Sequence, residues 1–337
     1  MDRDRRGPAL PAARGPVSAA VTAYLRGGAA PPRDEDADRA PVYGDDLHLA
    51  LYLCYELHYR GFAGVDARCE WDPALLRVRA ALERRFLAAL RRDATRHDGV
   101  DDALADLLVE PVRGTGVSYF LREAGELWHL REYAAQRSLY HLKEADPHAW
   151  VLPRLRGRAK AAMAAVEFDE YGGGRADRVH ARLFADLMTD LGLDAAYGRY
   201  LDAAGAEALA TVNLMSLFGL HRVLRGALVG HFAAVEITSS PGSRRLAEAM
   251  RRTGAGPAAE FFYDEHVEAD AVHEQVVRHE VIAGLLEEEP ELAPDVAFGI
   301  DATGFLEDRL GARLLADWRA GRSSLRRPLE TAPVPAR

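Results

Sequence analysis

Cysteine is scarce: Cys54 and Cys69 are the only two in 337 residues. Two thiols cannot build a disulfide framework, a four-cysteine zinc site or an iron–sulfur cluster. Lysine is equally scarce, present only as Lys143 and Lys160, so arginine carries the basic side, a bias of composition and not of local function. Positive charge is in deficit, with 43 basic against 52 acidic residues and a net charge of -9. That balance disfavours a nucleic-acid partner. No apolar run approaches the roughly 20 residues that span a bilayer, so no membrane partner is expected. Alternating β-branched runs bounded by turn pairs are nearly missing, which argues against a sheet.

What remains is a chain of 48% hydrophobic and 28% charged residues, the make-up of a globular protein. Helical periodicity recurs at 45–60, 74–92, 100–109, 117–143, 148–171, 176–192, 194–203, 206–218, 220–235, 243–253, 257–288 and 302–320. Asp72-Pro73, Asp146-Pro147, Gly172-Gly173-Gly174, Ser240-Pro241-Gly242 and Glu289-Pro290 punctuate them. Asp146-Pro147 predicts an N-cap followed by proline in the first helical turn. The fold class read from this pattern is all-α. The Arg-, Pro- and Ala-rich start has Asp2 and Asp4, unlike a transit peptide, and no apolar core of a signal peptide follows. A cytoplasmic location is the default expectation.

The informative residues are polar groups where the period demands apolar ones. At about 100° per residue, His266, Asp270 and His273 fall on the stripe of Phe262, Ala269, Val276 and Val277. Glu265, Glu268, Glu274 and Arg278 point elsewhere. Burying three unpaired ionisable groups costs several kcal/mol each. Two arrangements relieve that cost: a bound cation, or a buried Asp–His pair with a spare histidine. A second stripe of Leu152, Leu155, Ala159, Met163 and Val166 is continued by Glu170, with Glu167 and Asp169 read at other angles. Here the competing reading is a helix-end carboxylate in water. His180 opens a third stripe with Leu183, Phe184, Leu187 and Leu191, and Gly172–Gly174 lets Glu170 and His180 turn toward one point. That glycine run lacks the Lys-Ser/Thr of a phosphate loop.

Glu144 sits near the angles of Leu130, Arg137 and His141, where His141, His148 and a solvated helix end compete with it. Glu144, Glu170, His180, His266, Asp270 and His273 together offer carboxylates and imidazoles without thiolate, which disfavours structural zinc. Carboxylate/His sets on facing helices are the recurrent design of di-iron and di-manganese bundles, although the Glu-x-x-His pair of ferritin-like proteins is missing. HEQVVRHE (273–280) has its second histidine six residues on, too far for a zincin helix. His231, among Leu224, Ala227, Leu228 and Val235, and Asn213, among Leu209, Val212 and Leu217, read either as satisfied core groups or as neighbours of the site. Arg222 and Arg225 read as surface residues or as partners of a substrate carboxylate.

KEADPH (143–148), EFDEYGGG with His180 (167–180) and HVEADAVH (266–273) carry a resemblance to the haem-oxygenase-like di-iron oxidase and oxygenase superfamily, the iron-containing redox enzymes. It covers roughly residues 115–290. The resemblance implies a haem-oxygenase-like helical bundle with two ferrous ions per chain and no haem. It makes Glu144, Glu170, His180, His266, Asp270 and His273 the metal ligands, with Glu170 bridging. It also implies dioxygen as co-substrate, a small-molecule substrate and a dependence on iron. Members oxygenate amine nitrogen, cleave amino-acid C–C bonds or decarboxylate fatty acids. An external electron donor and a homodimer are left open, as is manganese at one position. The expected division is a flexible tail and loop at 1–40, a helical extension at 41–112, the metal-binding domain at 113–322 and a flexible tail at 323–337. Two alternatives are kept: a non-catalytic iron carrier or storage protein, and the metal-free, thiaminase-like branch of the fold. The latter needs a pocket cysteine, and Cys54 and Cys69 fall in the extension.

Overall fold

A computed structural model describes residues 7–28, 30, 33–94, 96–111 and 114–329. Among them every regular element is helical. The extension holds α1 (Pro16–Leu25), α2 (Asp34–Ala37), α3 (Asp45–Glu56), α4 (Pro73–Asp93) and α5 (Val100–Leu107). The rest holds α6 (Val117–Ala124), α7 (Leu127–His141), α8 (Asp146–Ala149), α9 (Gly157–Glu170), α10 (His180–Asp190), α11 (Ala206–Leu220), α12 (Arg225–Thr253), α13 (Pro257–Val276), α14 (Ala283–Glu288) and α15 (Ala293–Arg319). No helix among the described residues is long and apolar enough to cross a membrane.

α12 is the axis of the bundle, packing along α13 and α15 and against α6 and α11. It is buried on nearly all sides from Gly226 to Ile237 and again on one face from Ser243 to Met250. The buried turns on either side of half-buried Pro241 carry the helix through it, where the sequence predicts a break, and their packing outweighs the one backbone bond a proline removes. α10 packs on α13 and α7, while α9 packs on a single π-turn, Val277–Ile282, that joins α13 to α14. The extension docks through α3 onto α11. It is also pinned by a buried ion pair, Lys143 Nζ to Glu56 Oε2 at 2.9 Å. Tyr197 donates to Glu56 Oε1 at 2.6 Å, and the Lys143 ammonium lies 4.3 Å from the Tyr59 ring centre.

Four expectations need correction. The segment 1–40 is not all tail and loop, because α1 buries Val17, Val21 and Leu25. Its N-terminus is capped from α3, where Asp46 accepts from the Val17 and Ser18 amides at 3.0 and 2.7 Å. Locally, Pro16 opens the helix and the Ser18 hydroxyl accepts from the Gly15 amide at 3.2 Å. The start of the C-terminal tail packs on the bundle: the Ser324 amide and hydroxyl donate to Glu132 at 2.9 and 2.7 Å, the Arg326 amide donates to the Ala203 carbonyl, and Leu329 lies against the core. Residues 1–6 and 330–337 lie outside the described residues. At 194–203 a helix gives way to turns, where Asp194 Oδ1 accepts from the Ala196 amide at 2.9 Å and Gly198 takes φ 72°. Asp146 does not cap α8 but opens it, and accepts from the Tyr171 hydroxyl at 3.0 Å.

α12 and α15 cross backbone to backbone. A β-carbon on Gly230 would collide with the Val296 carbonyl, and one on Gly299 with the Ala227 carbonyl. Gly304, on the same α15, has open space around its α-carbon. Gly230→Ala is therefore expected to lower unfolding free energy by about 1–3 kcal/mol through overpacking. Gly304→Ala is expected to raise it by about 0.5–1 kcal/mol. Urea denaturation of the two variants checks the contrast, and equal effects would contradict it.

Candidate metal centre

Four segments deliver ionisable groups to one place inside the bundle. Glu144 follows the C-terminus of α7, Glu170 ends α9, His180 begins α10, and His266, Asp270 and His273 descend α13 one turn apart. The turn from Glu170 to His180 depends on Gly172–Gly174, whose φ values are 74°, 60° and 81°, a region that side chains disfavour. All six groups are buried, and none is more than 6% exposed. α12 adds a seventh, Glu236, also buried.

These seven form two adjacent groups, within each of which the donor atoms lie no more than 4.8 Å apart. Glu144, His180 and His266 make the first; Glu170, Glu236, Asp270 and His273 make the second. Glu170 stands between them, with Oε2 2.7 Å from His180 Nδ1 and Oε1 3.6 Å from His273 Nδ1. His273 Nδ1 is also 3.1 Å from Glu236 Oε2 and 3.6 Å from Asp270 Oδ1. His266 Nδ1 donates to the Phe262 carbonyl at 2.7 Å, which leaves Nε2 as a buried lone pair with no hydrogen-bond partner. Asp270 Oδ2 is likewise buried without one. Orphaned donors of this kind, oxygen and imidazole nitrogen together and no thiolate, suit a divalent transition metal.

The competing histidines have other work. His141 bonds Glu144 Oε2 at 2.9 Å and stacks on Phe184. His148 and His231 pair through their Nε2 atoms at 3.1 Å, and His231 Nδ1 meets the Thr303 hydroxyl at 2.8 Å. Asn213 donates to the His48 carbonyl at 2.8 Å, away from the centre. Arg225 pairs with Glu289, and Arg222 is exposed. Cys54 is buried and its thiol is pushed up to about 12 by burial, and neither cysteine lines the cavity described below.

Sequence reasoning missed two carboxylates. Glu236 continues Val229, Phe232 and Ala233 at helical spacing, but α12 is buried on nearly every side from Gly226 to Ile237, so no single stripe stands out. A strict division of helix faces points Glu167 away, whereas it is 2% exposed and neither carboxylate oxygen has a hydrogen-bond partner. It lies only about 40° from Met163 on the helical wheel, on the same inward face as Glu170.

A cavity of about 730 Å³ opens onto the first group only: Glu144 and His266 line it, together with Tyr140, His141, Phe262 and Tyr263. No member of the second group lines it. Arg137 and Glu307 pair across its wall at 2.8 and 2.5 Å. A sequence profile of the family described as iron-containing redox enzyme matches residues 131–307, over half of the chain and all seven donors. No curated protein matches the chain.

Without metal, this much acid and imidazole holds protons. Burial, reinforced by Glu170 and Glu236, pushes Glu167 up to about 9. Burial and then Asp270 raise Glu236. Burial opposes charge on His180, but Glu170 overrides it and raises His180 to about 9. The His273 imidazole is raised too, burial again being overridden, by bonds to Asp270 and Glu236. All four bind protons more tightly folded than unfolded, so their contribution is complete below the unfolded values and falls as pH rises through the folded ones. The melting temperature of the metal-free protein should therefore fall between about pH 6 and 9. A bound divalent cation replaces those protons and should remove or reverse the slope. Calorimetry with chelator and with added zinc checks this; parallel curves would contradict it.

Proposed function

The chain belongs to the iron-containing redox enzyme family, and on that premise we propose that it is a non-haem di-iron oxidase or oxygenase. It uses dioxygen to oxidise a small molecule, and it works as an iron-dependent oxidoreductase. The observation that carries this reading is the pair of abutting donor groups with Glu170 between them. Glu144, Glu170, Glu236 and Asp270 supply four negative charges. Two ferrous ions supply four positive ones, so the filled centre is neutral inside an apolar bundle. His180 and His266 would help hold the first ion and Asp270 and His273 the second, with Glu170 placed to serve both. Two ferrous ions bound there would supply two electrons toward the reduction of dioxygen, and the substrate, as it is oxidised, the remainder.

The protein's part is unequal on the two sides. Only the first group reaches the cavity, through Glu144 and His266, so an ion held there would be the one accessible to substrate. Glu170, Glu236, Asp270 and His273 have no part in the cavity's lining. Phe262, Tyr263, Leu310 and Leu314 make the cavity wall apolar and restrict water at the reacting centre. Arg137 and Glu307 set a fixed polar pair in that wall where a substrate's polar end can be oriented. A carrier or storage protein has no use for such a chamber, which favours turnover over simple metal binding. Amine or amino-acid N-oxygenation, amino-acid C–C cleavage and fatty-acid oxidative decarboxylation are the candidate reactions.

Anaerobic reconstitution with ferrous iron should load about two ions per chain. His266→Ala should lower that content and abolish dioxygen consumption. Aerobic incubation with a panel of amines, amino acids and fatty acids, read by mass, should show an added oxygen, a lost carboxylate or a cleaved carbon. Absence of bound transition metal after reconstitution would overturn the proposal. Iron binding with no dioxygen uptake across the panel would favour the carrier reading.

A further inference from the structure

His273 is held at both edges. Its Nδ1 faces the converging oxygens of Glu236, Glu170 and Asp270 at 3.1, 3.6 and 3.6 Å. Its Nε2 faces the opposite way, 3.4 Å from Asp169 Oδ2. Asp169 is unlike every other carboxylate that reaches the centre, because its side chain is 59% exposed. His266 shows the converse arrangement, with Nδ1 donating to a main-chain carbonyl and Nε2 turned inward. Two of the imidazoles thus present opposite nitrogens to the donor groups, and each has its outer nitrogen anchored.

We propose that Asp169 is a positioning residue: it accepts the Nε2 proton of His273 and thereby commits Nδ1 to the ion in the four-donor group. This rests on the metal reading above and deepens it. A neutral imidazole carries one N–H, and whichever nitrogen holds it cannot bind metal. A carboxylate on the outer nitrogen fixes the tautomer, limits rotation of the ring and makes the inner lone pair a stronger donor. Asp169 is supplied by α9 one residue before Glu170, so the helix that gives the bridging carboxylate also secures the histidine opposite it. The exposed position explains why helical periodicity assigns Asp169 to solvent: its backbone is on the outer face, and only one carboxylate oxygen turns back to the ring.

The test uses zinc as a diamagnetic probe on the full chain. In the zinc-loaded wild type, long-range ¹H–¹⁵N spectra should show His273 protonated at Nε2 and bound through Nδ1. Asp169→Ala should weaken zinc binding at the four-donor group by about 10- to 100-fold. Because the side chain is exposed, the melting temperature of the metal-free variant should match wild type. Asp169→Asn, which keeps an acceptor but not the charge, should keep the tautomer and lose less affinity. Wild-type affinity in Asp169→Ala, or His273 bound through Nε2, would overturn the inference while leaving the metal reading intact. A wild-type protein that takes up neither zinc nor iron would overturn both.

Discussion

The structure turns on one electrostatic demand. Four carboxylates and three imidazoles are buried within a few ångströms of each other in a bundle whose other interior positions are mostly apolar. Like-charged carboxylates at that spacing cannot all ionise in a low-dielectric interior unless positive charge lies among them. In the metal-free molecule protons meet the demand, retained by raised affinities at Glu236, His180 and His273, and by Glu167 close by. Protons satisfy one group at a time. A pair of divalent cations would satisfy all seven donors together.

The scaffold can be read as the means of holding that cluster rigidly. α12 lies at the centre, where Gly230 and Gly299 let it approach α15 at backbone distance. From its flank Glu236 reaches the cluster while α13 packs alongside with three further donors. The π-turn directly after α13 shifts the helix register where it meets α9, a device that recurs near functional sites. The extension takes part as well. Lys143 precedes Glu144 in sequence, and its ammonium is locked to Glu56 of α3 in an aromatic enclosure. A buried ion pair of this kind contributes little net stability but fixes geometry, since either partner left alone would be an unpaired buried charge. The loop that bears Glu144 is thereby tied to a segment more than 80 residues away.

Much of this was legible from periodicity alone. His266, Asp270 and His273 betrayed themselves as ionisable groups on an apolar stripe, and the structure brings them together with Glu144, Glu170 and His180. The all-α class followed from the same signal. The omissions share a cause. Glu236 lies on a stretch of helix, Gly226 to Ile237, buried on nearly every side, where an inward polar residue has no polar face to contrast with. Glu167 sits close enough in angle to the inward stripe that a strict division of faces misplaced it. α1 depends on Asp46, a cap from a distant helix, and α12 passes through Pro241 because tertiary packing outweighs a local breaker. Asp169 is harder still, since an exposed backbone position says nothing about where one carboxylate oxygen turns. Local pattern registers what a residue's neighbours in sequence impose, and these features are imposed by neighbours in space.

The central claim is that the buried donors form a two-ion centre. Crystals grown with ferrous iron under anaerobic conditions, measured across the iron absorption edge, test it most directly. The account predicts two anomalous peaks about 3.5–4 Å apart. One should lie among Glu144, His180 and His266, the other among Glu170, Glu236, Asp270 and His273, with Glu170 between them. A single peak, or an interior free of iron in crystals that carry it elsewhere, would contradict the account.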